Sequence, residues 1–183
     1  MSTLQTVMRE IEAVMEKMNA DQVVDFARIL HEHEGRIFLL GEGRSGLMAK
    51  AFAMRLMHLG ANVYVMGETI TPSMKAGDML VALSGSGTTS SVVERSVKAR
   101  ELGCQVLGVT TNPESPLGTA CTGVLHIPAA TKYRKPGETA SIQPLSSLFD
   151  QASHIVLDSV CVEFAAFRNQ TNESAKDRHG NME

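Results

Sequence analysis

The sequence predicts an α/β fold in which a five-stranded parallel sheet lies between layers of helices, and three observations carry that prediction. Five short apolar runs, at 36–40, 62–66 (NVYVM), 79–83 (MLVAL), 105–110 (QVLGVT) and 123–127 (GVLHI), read as strands buried on both faces. The segments 45–59 and 89–102 between them are long enough, and polar enough on one side, to be crossover helices. Two glycine-rich turns, at 41–46 and 84–91, each come after an apolar run and open a helical segment.

Residues 4–18 set Leu4, Val7, Met8, Ile11, Val14, Met15 and Met18 on one stripe at helical spacing. Residues 22–31 repeat the pattern with Val23, Val24, Phe26, Ala27, Ile29 and Leu30, so two helices lead the chain. The first apolar run then enters a turn in which Gly41, Gly43 and Gly46 spell G-x-G-x-x-G, the fingerprint of a dinucleotide-binding turn. A nicotinamide protein would also place an acidic residue after the second strand to hold a ribose, and Glu68 stands there.

The third run leads into Ser84-Gly85-Ser86-Gly87-Thr88-Thr89-Ser90-Ser91, six hydroxyls in eight residues at a helix start. Free backbone N–H groups, the helix dipole and the hydroxyls together make a cradle for an anion, whereas capping alone needs one Ser or Thr. A dinucleotide does not require this second loop. Two such loops at the carboxyl ends of neighbouring parallel strands, with Arg44 and Ser45 at the mouth of the first, suggest one small phosphorylated ligand gripped from two sides. A long helix is expected from about Pro144 to Phe167, with Leu145, Leu148, Phe149, Ala152, Ile155, Val156, Ser159, Val160 and Phe164 inward and Pro144 in its first turn. The closing NQTNESAKDRHGNME is polar and aperiodic, and by composition alone reads as disordered.

Length and composition bound the rest. At 183 residues and 43% hydrophobic content the chain holds one well-buried core, read as a single domain of leading helices (1–34), an α/β core (35–169) and a tail (170–183). The net charge of -3 and pI near 6.1 give no basic footprint for nucleic acid or an anionic membrane surface. No apolar run approaches the roughly 18–20 residues of a spanning helix, and the charged, amphipathic start is unlike a signal segment, so the expected location is the cytoplasm. Cys104, Cys121 and Cys161 lie far apart among apolar neighbours and read as small buried hydrophobes in a reducing compartment. The six histidines, His31 and His33 included, show no zinc spacing, and no metal is implied.

GRSGLMAKAFAMRLMHLG, GETITP, SGSGTT, TTNPESPLG, QPLSSLFDQ and RHGNME are six segments that, in this order, resemble the sugar isomerase (SIS) family of phosphosugar-binding domains, in the branch that isomerises 3-hexulose 6-phosphate. The resemblance runs from about residue 36 to the C-terminus. It implies a three-layer α-β-α sandwich and a homotetramer. It also implies a reaction that moves a carbonyl from C3 to C2 of a phosphorylated ketohexose through an enediolate, giving fructose 6-phosphate without metal or redox cofactor. The implied setting is the ribulose monophosphate pathway, beside a 3-hexulose-6-phosphate synthase that condenses formaldehyde with ribulose 5-phosphate. Two alternatives stand: another SIS isomerase, of the arabinose 5-phosphate type, and a non-catalytic phosphosugar-binding regulator.

Carried over position by position, the resemblance implies phosphate contacts at Ser45, Ser84, Gly85, Ser86, Gly87, Thr88 and Thr89, with Arg44 where relatives carry Arg or Lys. It points to Asp150 as the base, where relatives usually carry the longer Glu; a carboxylate in a helix's first turn is also favoured by the dipole alone. Glu68 is the rival base. His58 reads either as a substrate-facing acid or as a packing histidine. His179 matches a C-terminal histidine that, in related isomerases, reaches an active site, often a neighbouring subunit's; this replaces the disordered reading of the tail. Glu42 and Glu138 are further carboxylates near the site. The apolar leading and final helices offer more apolar face than one small sheet covers, so a helical dimer or tetramer interface is expected.

Overall fold

The computed structural model describes residues 1–135 and 138–182. Helices α1 (Thr3–Lys17) and α2 (Asp21–Glu32) lead into β1 (Ile37–Gly41), α3 (Gly43–His58), β2 (Val63–Val65), β3 (Met79–Leu83) and α4 (Ser90–Glu101). Strand β4 (Gln105–Thr110), α5 (Pro116–Ala120), β5 (Gly123–His126), α6 (Ser147–Phe167) and α7 (Asn172–Lys176) complete the chain. The strands form one parallel sheet in the order β2-β1-β3-β4-β5.

Alternation along the strands divides the core in two. Ile37, Leu39, Met79, Val81, Leu107 and Leu125 pack under α2, α3 and α6 on one face, while Phe38, Leu40, Leu80, Ala82 and Val106 meet α4 and α5 on the other. The chain leaves β1 through α3 to edge strand β2, then returns past β1 to β3, which leaves through α4 in the other direction. Strands β1 and β3 therefore bracket the topological switch point, and a crevice opens between the loops at their carboxyl ends. This is the three-layer arrangement with a five-stranded parallel sheet that the apolar runs imply.

Local features depart from the sequence reading, and on α6 two residues expected inward, Ile155 and Ser159, are exposed. Helix α6 starts at Ser147 rather than near Pro144, because Leu145 adopts a left-handed φ of 54° and Ser146 is non-helical. The five-residue helices α5 and α7 are too short to show a period. The tail, disordered by composition, folds onto the end of α3: the Arg178 guanidinium donates to the Gln170 side chain (2.9 Å) and the His58 carbonyl (3.4 Å), and His179 stacks on His58 at 5.2 Å. The three cysteines are free; Cys104 and Cys161 are buried and Cys121 half-buried, and desolvation pushes the Cys121 and Cys161 thiols up to about 12. Among the described residues no helix is long and apolar enough to cross a membrane.

Candidate active site

The glycine triplet is explained by the turn between β1 and α3. A Cβ on Gly46 would lie 2.7 Å from the Gly41 carbonyl oxygen, and one on Gly41 would lie 2.9 Å from the Gly46 nitrogen. Strand end and first helical turn touch backbone to backbone, which only glycine permits, and Gly43 between them takes a left-handed φ of 56°. This packing places Arg44 and Ser45 on the first turn of α3, facing the crevice.

The second loop is organised from within. The Ser84 hydroxyl lies 3.0 Å from Thr89 Oγ1 and accepts from the Gly87 N–H at 3.2 Å. Thr111 donates through both its N–H and its hydroxyl to the Gly85 carbonyl, at 3.1 and 2.8 Å, tying the loop to the end of β4. Ser86 accepts from the Thr88 N–H and hydroxyl at 3.3 and 3.0 Å. Ser84 thus shapes the loop, while Ser45, Ser86 and Thr89 stand on the wall of the crevice.

Asp150, 3% exposed, comes from the first turn of α6. Its Oδ2 accepts from Arg44 Nε at 2.8 Å, and the Ser45 hydroxyl reaches Oδ1 only at 3.4 Å. Arg44 therefore pairs across the crevice with Asp150; the nearby Glu42 instead accepts from Ser91 (3.1 Å) and Arg95 (3.4 Å). The cavity between them measures about 380 Å³ and is completed by Lys132, Leu145 and Ser146 from the β5–α6 connection. Gly87 and Thr88 lie outside its wall, Gly87 buried behind the loop and Thr88 exposed.

Helices α3, α4 and α6 all begin at this cavity, and none has a side chain capping its N-terminus; α2, away from it, is uncapped as well, while Ser2, Ser115 and Thr171 cap α1, α5 and α7. Three helix N-termini without a side-chain cap, and with them three positive dipole ends, therefore lie at one small volume, beside Arg44 and Lys132. The arrangement fits a phosphate-sized anion, with one buried carboxylate left to act on the rest of the ligand. Among the described residues no cluster of three His, Cys, Asp or Glu side chains has the form of a metal site.

The other sequence candidates lie elsewhere. Glu68, half exposed, pairs with Lys50 Nζ at 2.6 Å and borders a separate groove between residues 66–74 and α4. Glu138 accepts from the Thr131 N–H and hydroxyl (2.9 and 2.6 Å) beside a neighbouring cavity that also holds His126 and Lys135. His58 is buried at the opposite end of α3 from Arg44, about 21 Å away at 1.5 Å per residue. Burial, with Arg55 and His179 adding repulsion, lowers its pKa. The structure thus gathers Arg44, Ser45, Ser84, Gly85, Ser86, Thr89 and Asp150 at one site and sets His58 with His179 at another. Lys132 and Ser146 were not among the sequence candidates; the basic run KYRK at 132–135 was the available signal for the first, and reading α6 from Pro144 hid the second.

The SIS domain family model matches residues 29–155. A Bacillus subtilis protein named 3-hexulose-6-phosphate isomerase is 39% identical over 171 residues, which cover 93% of this chain and 90% of that protein. A Mycobacterium gastri protein of the same name is 40% identical over 185 residues, which cover 100% of this chain and 90% of the relative. A crystal structure from Methanococcus jannaschii, described as inferring a molecular function of 3-hexulose-6-phosphate isomerase, matches with a TM-score of 0.83 at 27% identity over 98% of both chains. The chain belongs to the SIS domain family.

Proposed function

We propose that this chain is an isomerase that interconverts 3-hexulose 6-phosphate and fructose 6-phosphate. The observation that carries the reading is the buried Asp150 carboxylate, held by Arg44, facing a cavity ringed by three uncapped helix N-termini. It agrees with the name borne by relatives 39% and 40% identical over nearly the whole chain. The phosphate enters the cradle of Ser45, Ser84 to Ser86 and Thr89 and orients the open-chain sugar. Asp150 removes the proton from C2, an enediolate spreads over C2 and C3, the proton returns at C3, and the C2 hydroxyl proton passes to the C3 oxygen as the carbonyl moves to C2. Arg44 Nε occupies Oδ2, so the weakly held Oδ1 is the oxygen that takes the proton. The Arg44 terminal nitrogens, which bond no other described residue, are the donors for the developing oxyanion.

The first test supplies ribulose 5-phosphate, formaldehyde and a hexulose-phosphate synthase and reads fructose 6-phosphate through a coupled dehydrogenase. Product is expected only when this chain is present. If none forms while arabinose 5-phosphate is isomerised, the cradle is right and the substrate is wrong. A synthase of that kind is the metabolic partner the reading implies, within formaldehyde fixation in the cytoplasm.

The tail and the assembly extend the same reading. His58 and His179 cannot reach their own cradle from the far end of α3. Apolar side chains remain exposed along α1 (Leu4, Met8), α3 (Leu47, Met54, Met57) and α6 (Ile155, Val162), which suits a homotetramer burying these helices. In it the histidine pair, with burial lowering the pKa of His58, serves a neighbouring subunit's site as a proton relay. Mixed oligomers of Asp150→Asn and His179→Ala chains are expected to regain activity that neither variant has alone. Activity that stays at the sum of the two would place the pair outside catalysis in trans.

A further inference from the structure

We infer that Glu10, on the outer helix α1, is a positioning residue for the site, acting through the segment that enters α6; the inference rests on reading the cradle as the catalytic centre. Glu10 lies outside the cavity wall, yet its carboxylate takes three hydrogen bonds from consecutive residues of an irregular segment. Oε1 accepts from the Ile142 N–H at 2.7 Å, and Oε2 accepts from the Ser141 hydroxyl at 2.7 Å and Gln143 Nε2 at 3.0 Å. These bonds, with Arg134 beyond them, hold the Glu10 carboxyl below its usual range against the opposing cost of burial.

Immediately after this clamped segment the chain enters the site. Two residues beyond Gln143, Leu145 takes its left-handed φ of 54° although its side chain is 68% exposed, so packing of that side chain does not impose the conformation. A strained residue of this kind persists only where both flanks are fixed. Helix α6 fixes one flank and the Glu10 clamp fixes the other. Leu145 and Ser146 line the cavity, and the Ser146 hydroxyl accepts from the Lys132 N–H at 3.1 Å, setting Lys132 on the same wall. The Gln143 carbonyl also accepts from Arg134, which lies two residues from Lys132 in sequence. Asp150 sits one turn into the helix that Ser146 precedes, so a shift at 141–143 moves the carboxylate, an uncapped helix end and a cation together.

The test is Glu10→Ala, which removes every acceptor of the clamp at once; the Ser141 hydroxyl and a turned Gln143 amide could both accept from a glutamine at position 10. Lowered kcat/KM by about 10- to 100-fold is expected, mostly in kcat, together with weaker fructose 6-phosphate binding by calorimetry and faster native-state tryptic cleavage at Lys132 and Arg134. Ser141→Ala, which removes one of the three bonds without touching α1, is expected to act in the same direction and less. Glu12→Gln, an exposed change on the same helix, is the neutral control. Assays run well below each variant's Tm separate misplacement from unfolding. If cleavage at Lys132 and Arg134 accelerates while kcat, KM and affinity stay at wild-type values, the clamp is structural only and the inference fails; it also fails if nothing changes. A wild type that binds fructose 6-phosphate without isomerising it would sink the isomerase reading alone, and the affinity arm would still judge Glu10. A wild type that binds no fructose 6-phosphate would overturn both.

Discussion

Asp150→Asn is expected to lower kcat and kcat/KM together by about 10² to 10⁴-fold, with the fold and phosphate affinity retained. Asparagine preserves the volume, and its carbonyl oxygen still accepts from Arg44 Nε, so the 2.8 Å contact that fixes the side chain survives. The loss is the ability of the second atom, in the place of Oδ1, to take a proton. Because residue 150 is 3% exposed, no bulk water substitutes readily for the missing base. Glu68→Gln is the informative comparison, since that carboxylate pairs with Lys50 beside a different groove and its loss is expected to cost at most a few-fold. Steady-state kinetics on both variants decide the matter. A kcat for Asp150→Asn within tenfold of wild type, or a collapse of Glu68→Gln, would move the base away from α6. The same experiment bears on arm length: Asp150→Glu is expected to stay active, because the residue opens onto the cavity and Arg44 is free to retract into solvent at 60% exposure.

The strands were legible because a parallel sheet covered on both sides needs continuous apolar runs: the expected 79–83 and 105–110 are the observed β3 and β4. The placing of the two glycine- and hydroxyl-rich loops at one crevice was legible for a related reason, since both follow neighbouring strands of that sheet and open helices. The features that escaped depend on contacts distant in sequence. The Arg44–Asp150 pair spans 106 residues, and Glu10 reaches residues more than 130 positions away, with no period to announce either. The order of the tail is a property of where the end of α3 lies, not of the tail's own composition. The start of α6 was misread because nothing in Pro144-Leu145 signals that the leucine turns left-handed.

Gly87→Ala is expected to be the most damaging single change in the cradle, although Gly87 does not line the cavity. Gly87 takes a φ of 64°, which costs an alanine about 1–2 kcal/mol. The added Cβ would lie 2.0 Å from the Ser115 hydroxyl oxygen and 2.4 Å from its Cβ, an overlap worth about 1–3 kcal/mol once the surroundings shift. Nor is Ser115 free to leave, because it is 3% exposed and its hydroxyl caps α5 by accepting from the Gly118 N–H at 3.2 Å. The Gly87 carbonyl accepts from the Leu117 N–H at 2.9 Å, so the loop is held on α5 from two sides. Strain at residue 87 therefore passes to Ser86 and Thr89, which do line the cavity. A fall in Tm of about 5–15 °C is expected, at roughly 2–4 °C per kcal/mol for a chain of this size, with KM for the phosphosugar raised at temperatures where the variant is still folded. Two companions separate the causes. Gly43→Ala also carries a left-handed φ, of 56°, but its Cβ would meet nothing within 4 Å, so only the dihedral cost of about 1–2 kcal/mol is expected there. Gly87→Ala combined with Ser115→Gly removes the overlap at a capping cost of roughly a few tenths of a kcal/mol, and is expected to recover the packing share while the dihedral share remains. Equal melting temperatures for Gly87→Ala and Gly43→Ala would show that α5 yields freely, and that the second loop is shaped by its own hydroxyls rather than by the helix behind it.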